Sequence, residues 1–180
     1  MNVSELAGQL CMIGFEGTEV TPDLRKWMRE YRPAGIILFS RNLVDPAQIA
    51  HLTKDLQALA DSNPLLISID QEGGRVSRLP SGFTIFPPAA TVAQPGSTEL
   101  AYQAAAVTAK ELRAVGINMN MAPVLDVHTN PSNPIIGNRA FGTEPEQVCL
   151  MGRATIAGLH DHRVLACGKH FPGHGDTSTD

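Results

Sequence analysis

The sequence predicts an α/β fold: a (β/α)8 TIM-barrel-like domain, present as an incomplete barrel of about five parallel strands and four helices. Three observations predict it. Five short apolar runs are nearly continuous rather than alternating, as strands buried on both faces require. Segments with helix-start signals and one apolar stripe separate them. Polar side chains gather directly after three of the runs, where parallel α/β folds place their sites.

The strands are "LCMIGF" (10–15), "GIILF" (35–39), "LLISI" (65–69), "INMNMAPVL" (117–125) and "VLAC" (164–167). Thr21 and Pro22 open the first helix, with Leu24, Trp27, Met28 and Tyr31 on one face. Asp45, Pro46 and Gln48 supply an N-cap, a first-turn proline and a capping-box partner for the second, whose stripe is Ile49, Leu52, Leu56 and Leu59. Ser97 starts a third, carrying Leu100, Ala104, Val107 and Val115 to a stop at Gly116. Thr143 and Glu146 form a capping box for the fourth, which runs to about His160. The proline-containing stretch 78–96 is an ordered loop over one end, and loops this long are usually functional or disordered.

Strand, helix, strand in repetition means right-handed crossovers in a parallel sheet, either open and doubly wound or closed as a barrel. The glycine-rich dinucleotide fingerprint is missing, since "GFEGTE" after the first strand does not match it, and this favours the barrel. A barrel needs eight strands, in typically about 250 residues, so the five strands found in these 180 residues amount to a little over half of one. No linker, low-complexity tract or repeat divides residues 1–180, which are expected to be one domain.

A composition of 43% hydrophobic and 18% charged residues, with a net charge of -4, is that of a soluble globular protein and recruits neither nucleic acid nor an anionic membrane. The start has no basic leader, Glu5 interrupts its apolar run, and no segment approaches the roughly 20 apolar residues that span a bilayer, so the expected address is the cytoplasm. Cys11, Cys149 and Cys167 are odd in number, far apart and flanked by apolar residues, which predicts buried free thiols.

The three polar clusters are "DQEGGRVSR" (Asp70, Glu72, Arg75, Arg78), "DVHTNPSNPIIGNRAFG" (Asp126, His128, Arg139) and "GKHFPGHGDTSTD". Singly, each has a plain alternative: "EGGR" as a tight turn, Asp126 as a loop cap, Arg139 as a surface arginine. In the last stretch His170 and His174 have metal-ligand spacing, with Asp176 and Asp180 nearby, but Pro172, Gly173 and Gly175 forbid the helix that would align the two imidazoles. A phosphate cradle is a weaker match, because the P-loop order is lacking. An acid/base loop is the third alternative, with imidazoles that titrate near neutrality and carboxylates to orient them.

Together "KHFPGHGDTSTD", "IDQEGGRVSR" and "NMAPVLDV…NRAFG" resemble the family 3 glycoside hydrolases, most specifically their β-N-acetylglucosaminidase branch, over essentially the whole chain. The resemblance implies the N-terminal part of that family's catalytic barrel domain. It implies that Asp70, Arg78, Arg139, Lys169 and His170 bind the terminal N-acetylglucosamine. It further implies that Asp180 orients an acid/base histidine two positions beyond the last residue, and that the nucleophilic aspartate lies farther on. The 180 residues alone are therefore expected to be inactive. The full-length enzyme is expected to be a monomeric retaining hydrolase of GlcNAc-containing carbohydrates from peptidoglycan, with no metal or organic cofactor. A β-glucosidase or β-xylosidase of the same family, or a non-catalytic sugar-binding fragment, stands as the alternative.

Overall fold

In the computed structural model, which describes residues 3–60 and 64–179, five parallel strands form one sheet. In chain order the elements are α1 (Val3–Gly8), β1 (Met12–Ile13), α2 (Pro22–Tyr31), β2 (Gly35–Leu38), α3 (Pro46–Gln57), β3 (Leu66–Ile69), α4 (Ala89–Ala93), α5 (Thr98–Ala114), β4 (Met119–Asn120), α6 (Pro145–Asp161) and β5 (Leu165–Ala166), with short 3-10 turns at Ser40–Asn42 and Gly137–Arg139. Each strand pairs with its successor in the sequence, giving the order β1-β2-β3-β4-β5. Every crossover thus steps the same way. A doubly wound sheet must reverse direction at its switch point, whereas a barrel never does, so the winding is the barrel's.

The core lies between the sheet and its helices. Ile36 and Leu38 of β2, Ile67 and Ile69 of β3, Ile49, Leu52 and Leu56 of α3, Leu112 of α5 and Leu159 of α6 are all buried there. Two asparagines within the apolar fourth run have a structural purpose. Asn118 accepts from Ile67 N and donates to Leu65 O; Asn120 accepts from Gln71 N at 3.0 Å and donates to Gln71 O at 2.9 Å. Both amides therefore mate with the backbone of the β3 segment, and Asn120 fixes the chain between Asp70 and Glu72.

Several expectations need correction. The regular strands are shorter than the apolar runs, because the runs continue past the paired residues into the loops; Val124, for instance, keeps only an isolated bridge to Lys169. The stretch 78–96 contains the short helix α4, and α1 precedes the first strand. Helix α6 begins at Pro145, so Glu144 is its cap, with no side-chain bond, and the Thr143–Glu146 box does not form. Ser97 caps α5 by position only. The Asp45 cap is present: its carboxylate accepts from Gln48 N at 2.9 Å, while Gln48 reaches back one residue farther, to Val44 N.

On α2 only Met28 is buried, and Trp27 and Tyr31 stack on each other in partial exposure. The buried face of α5 is Ala101, Ala105, Ala106, Thr108, Ala109 and Leu112, while Leu100 and Val107 are exposed. Small residues are selected there by the close approach of α6, where a Cβ on Gly158 would meet Tyr102 O at 2.4 Å and Ala105 Cβ at 2.9 Å. The cysteines are free as expected, but Cys11 and Cys149 are exposed rather than buried.

Candidate functional site

The three polar clusters follow β3, β4 and β5 and meet at the carboxyl ends of those strands, because adjacent pairing and shared direction leave them side by side. Asp70 leaves β3 directly, and Glu72 lies two residues on. Glu72 is 6% exposed by side chain and uses both oxygens. Oε2 accepts from Arg139 Nε at 2.8 Å, and Oε1 accepts from Arg139 Nη2 at 2.8 Å and from Lys169 Nζ at 2.6 Å. Lys169 also donates to Asp70 Oδ1 at 2.7 Å. Burial pushes the Glu72 carboxyl upward, but the hydrogen bonds and charges of Arg139 and Lys169 outweigh it and hold the group below the usual glutamate value. The same hydrogen bonds, donated to Glu72, push the Arg139 guanidinium upward.

His170 is held from the other side. Its Nδ1 lies 2.6 Å from Oδ2 of Asp126, whose side chain is fully buried. The other carboxylate oxygen accepts from the backbone N–H of His174 at 2.6 Å. A buried carboxylate needs such partners, and with Nδ1–H given to Asp126 the remaining Nε2 is the nitrogen left for a ligand. The loop beyond is pinned to the segment after β4: Asn133 donates to His174 O and to Thr177 Oγ1, and Asn130 donates to Thr177 O. The Lys169–His170 peptide is cis.

The structure thus brings Asp70, Arg139 and Lys169 into one bonded cluster, with His170 beside it. Arg78 is anchored by its backbone, which donates to Gln71 Oε1, and its Nε is buried with no partner among the described residues. It makes no hydrogen bond to the other four. Asp180 lies outside the described residues. Arg75 is a brace, donating to the carbonyl of Ile135. Among the described residues no three His, Cys, Asp or Glu side chains are grouped as a metal site; the His170 and His174 rings meet edge to face, 5.9 Å apart.

Sequence reasoning passed over Glu72 as a site residue and left Asp126 open between cap and site. A signal existed for the first: in an extended segment residues i and i+2 share a side, so Glu72 follows Asp70 into the cluster. For Asp126 the signal was a carboxylate directly after an apolar run, which has to be buried with a donor.

The arrangement matches known proteins. Residues 2–180 match the family model described as Glycosyl hydrolase family 3 N terminal domain. The chain belongs to glycoside hydrolase family 3. Within the family it is 43% identical over 175 residues to the beta-hexosaminidase of Thiobacillus denitrificans, covering 94% of this chain and 48% of that protein. Among solved structures, a family 3 beta-N-acetylglucosaminidase from Paenibacillus sp. str. FPU-7 superposes with a TM-score of 0.96 at 49% identity, covering 100% of this chain and 35% of that one. NagZ from Neisseria gonorrhoeae, solved with N-trifluoroacetyl-D-glucosamine, superposes with a TM-score of 0.87 at 36% identity, covering 94% of this chain and 51% of that one. The chain spans about half the length of the curated relatives it matches. No helix among the described residues is long and apolar enough to cross a membrane.

Proposed function

We propose that residues 1–180 are the sugar-holding part of the catalytic barrel domain of a β-N-acetylhexosaminidase, which releases terminal β-linked N-acetylglucosamine with retention. The observation that carries this is the bonded cluster of Asp70, Glu72, Arg139 and Lys169 at three adjacent strand ends, with His170 locked beside it. Charged donors and acceptors fixed before binding give short, directional bonds to ring hydroxyls and hold the ring for reaction. Asp70 accepts from hydroxyls, Lys169 and Arg139 donate, and His170 offers Nε2. Arg78 is assigned to the same pocket, since its buried Nε has no partner among the described residues.

In this reading Asp180 orients an acid/base histidine, and a separate carboxylate attacks the anomeric carbon as the acid protonates the leaving oxygen. The finer expectations that go with it are a monomeric cytoplasmic enzyme and a GlcNAc-containing muropeptide substrate. The test uses protein expressed from the complete reading frame, comparing chromogenic N-acetyl-β-glucosaminide with β-glucoside and β-xyloside. Faster turnover of the N-acetylated substrate, lost on Asp180→Ala, is expected. Preference for the glucoside or xyloside would replace the reading with the neighbouring activity, and no turnover of any of the three would leave a sugar-binding protein.

A further inference from the structure

We propose that Glu72 is the positioning residue of this pocket and the reason it selects a neutral sugar ring over an anionic one, an inference that rests on the hydrolase reading above. Glu72 engages Arg139 through two nitrogens and Lys169 through a third bond. Arg139 is 67 residues away in sequence, so the contact is made by the winding of the sheet rather than by a local turn. The two cations have the longest and most mobile side chains in the cluster, and both are nevertheless nearly buried, at 11% and 16% exposure. Their ordering is settled in the free protein and need not be repeated when a ligand enters.

The donor count shows what remains for that ligand. A guanidinium has five N–H groups; Arg139 commits two to Glu72 and one to Ile135 O, which leaves two. An ammonium has three; Lys169 commits one to Asp70 and one to Glu72, which leaves one. The free donors suit hydroxyl and carbonyl oxygens. Within the bonded cluster, meanwhile, the charges already cancel: Arg139 and Lys169 face Asp70 and Glu72. A sulfate or a carboxylated sugar entering here gains donors but no net positive potential from this cluster, and it meets two fixed carboxylates. Without Glu72 the same two cations would face only Asp70, and the pocket would become an anion site.

The test uses protein from the complete reading frame, with wild type, Glu72→Gln and Glu72→Asp compared by thermal melts, by kcat and KM on a neutral N-acetyl-β-glucosaminide, and by calorimetry with inorganic sulfate. Glu72→Gln keeps the shape and removes the charge. It is expected to lose roughly 10- to 100-fold in kcat/KM, the range for breaking charged hydrogen bonds, and to gain sulfate binding that competes with substrate. Glu72→Asp keeps the charge but cannot span both cations, so it should lose kcat/KM while staying blind to sulfate. A folded Glu72→Gln that binds no sulfate overturns the proposal, as does sulfate bound in the wild-type pocket or a Glu72→Asp enzyme with unchanged kcat/KM. If Glu72→Gln does not fold, the wild-type and Glu72→Asp measurements still decide. Sulfate calorimetry does not depend on turnover, so a wild type inactive on the glucosaminide sinks the hydrolase reading and leaves this one to be judged separately.

Discussion

Glu72 couples the site to acid stability. Its folded pKa lies below the ordinary value of 4.5, held there by Arg139 and Lys169 against the opposing effect of burial. The unfolded chain therefore takes up the proton first as pH falls, so the stabilisation is complete above about 4.5 and is lost as pH drops through the folded value. Urea midpoints measured from about pH 6 down to about pH 3 should show a steep acid limb in wild type and a shallower one in Glu72→Gln, whose side chain cannot titrate. Superimposable limbs would remove Glu72 from the account. At this scale the sequence showed which segments carry the polar side chains and not what those side chains do to one another. Asp70, Lys169 and His170 follow apolar runs closely and so emerge at strand ends, whereas Arg139 sits in the 3-10 turn Gly137–Arg139 of the long segment after β4. The Glu72–Arg139 and Asp126–His170 pairs join positions 67 and 44 apart, and no local pattern encodes such a pairing. Arg78 comes from the same segment as Asp70 but makes no hydrogen bond to the other four.

Between residues and the sheet, the segment of β4 has the widest influence, because Asn118 just before the strand and Asn120 within it replace apolar side chains with hydrogen bonds to the β3 segment. Asn120 is 1% exposed and holds both backbone polar groups of Gln71, so it sets the spacing of Asp70 and Glu72 on either side. Asn120→Leu, similar in shape but without the amide, leaves a buried N–H and a buried carbonyl unpaired. The expected loss is about 2 kcal/mol or more by urea denaturation, with weakened sugar binding in whatever remains folded. A stability within about 0.5 kcal/mol of wild type would mean that the Gln71 backbone finds other partners. The apolar pattern placed the strands and most helices correctly but misjudged the buried faces of α2 and α5. A hydrophobic stripe assumes that the largest apolar residues face inward. Where α6 comes close enough for Gly158 to lie against Tyr102 O, only alanine fits, and Leu100 and Val107 turn outward.

At the scale of the molecule, the absence of a dinucleotide fingerprint was an indirect argument for a barrel, and the strand order is a direct one: five parallel strands in sequence order step one way. Sequence periodicity cannot reveal that order, since buried parallel strands look alike in either winding. The order also defines what the sheet leaves open. Among the described residues β1 and β5 each pair on one side only, and Leu165 on β5 is 50% exposed, with Leu125 and the fully exposed Phe171 close by in the chain segments that flank the bridge to Lys169. Unpaired backbone donors beside apolar side chains invite pairing with another chain. The 180 residues expressed alone should therefore self-associate in a concentration-dependent way by light scattering after size exclusion, and a charge placed at the edge by Leu165→Lys should reduce it. A wild-type preparation that stays monomeric at high concentration and melts in one cooperative step would show that these edges are protected without further strands.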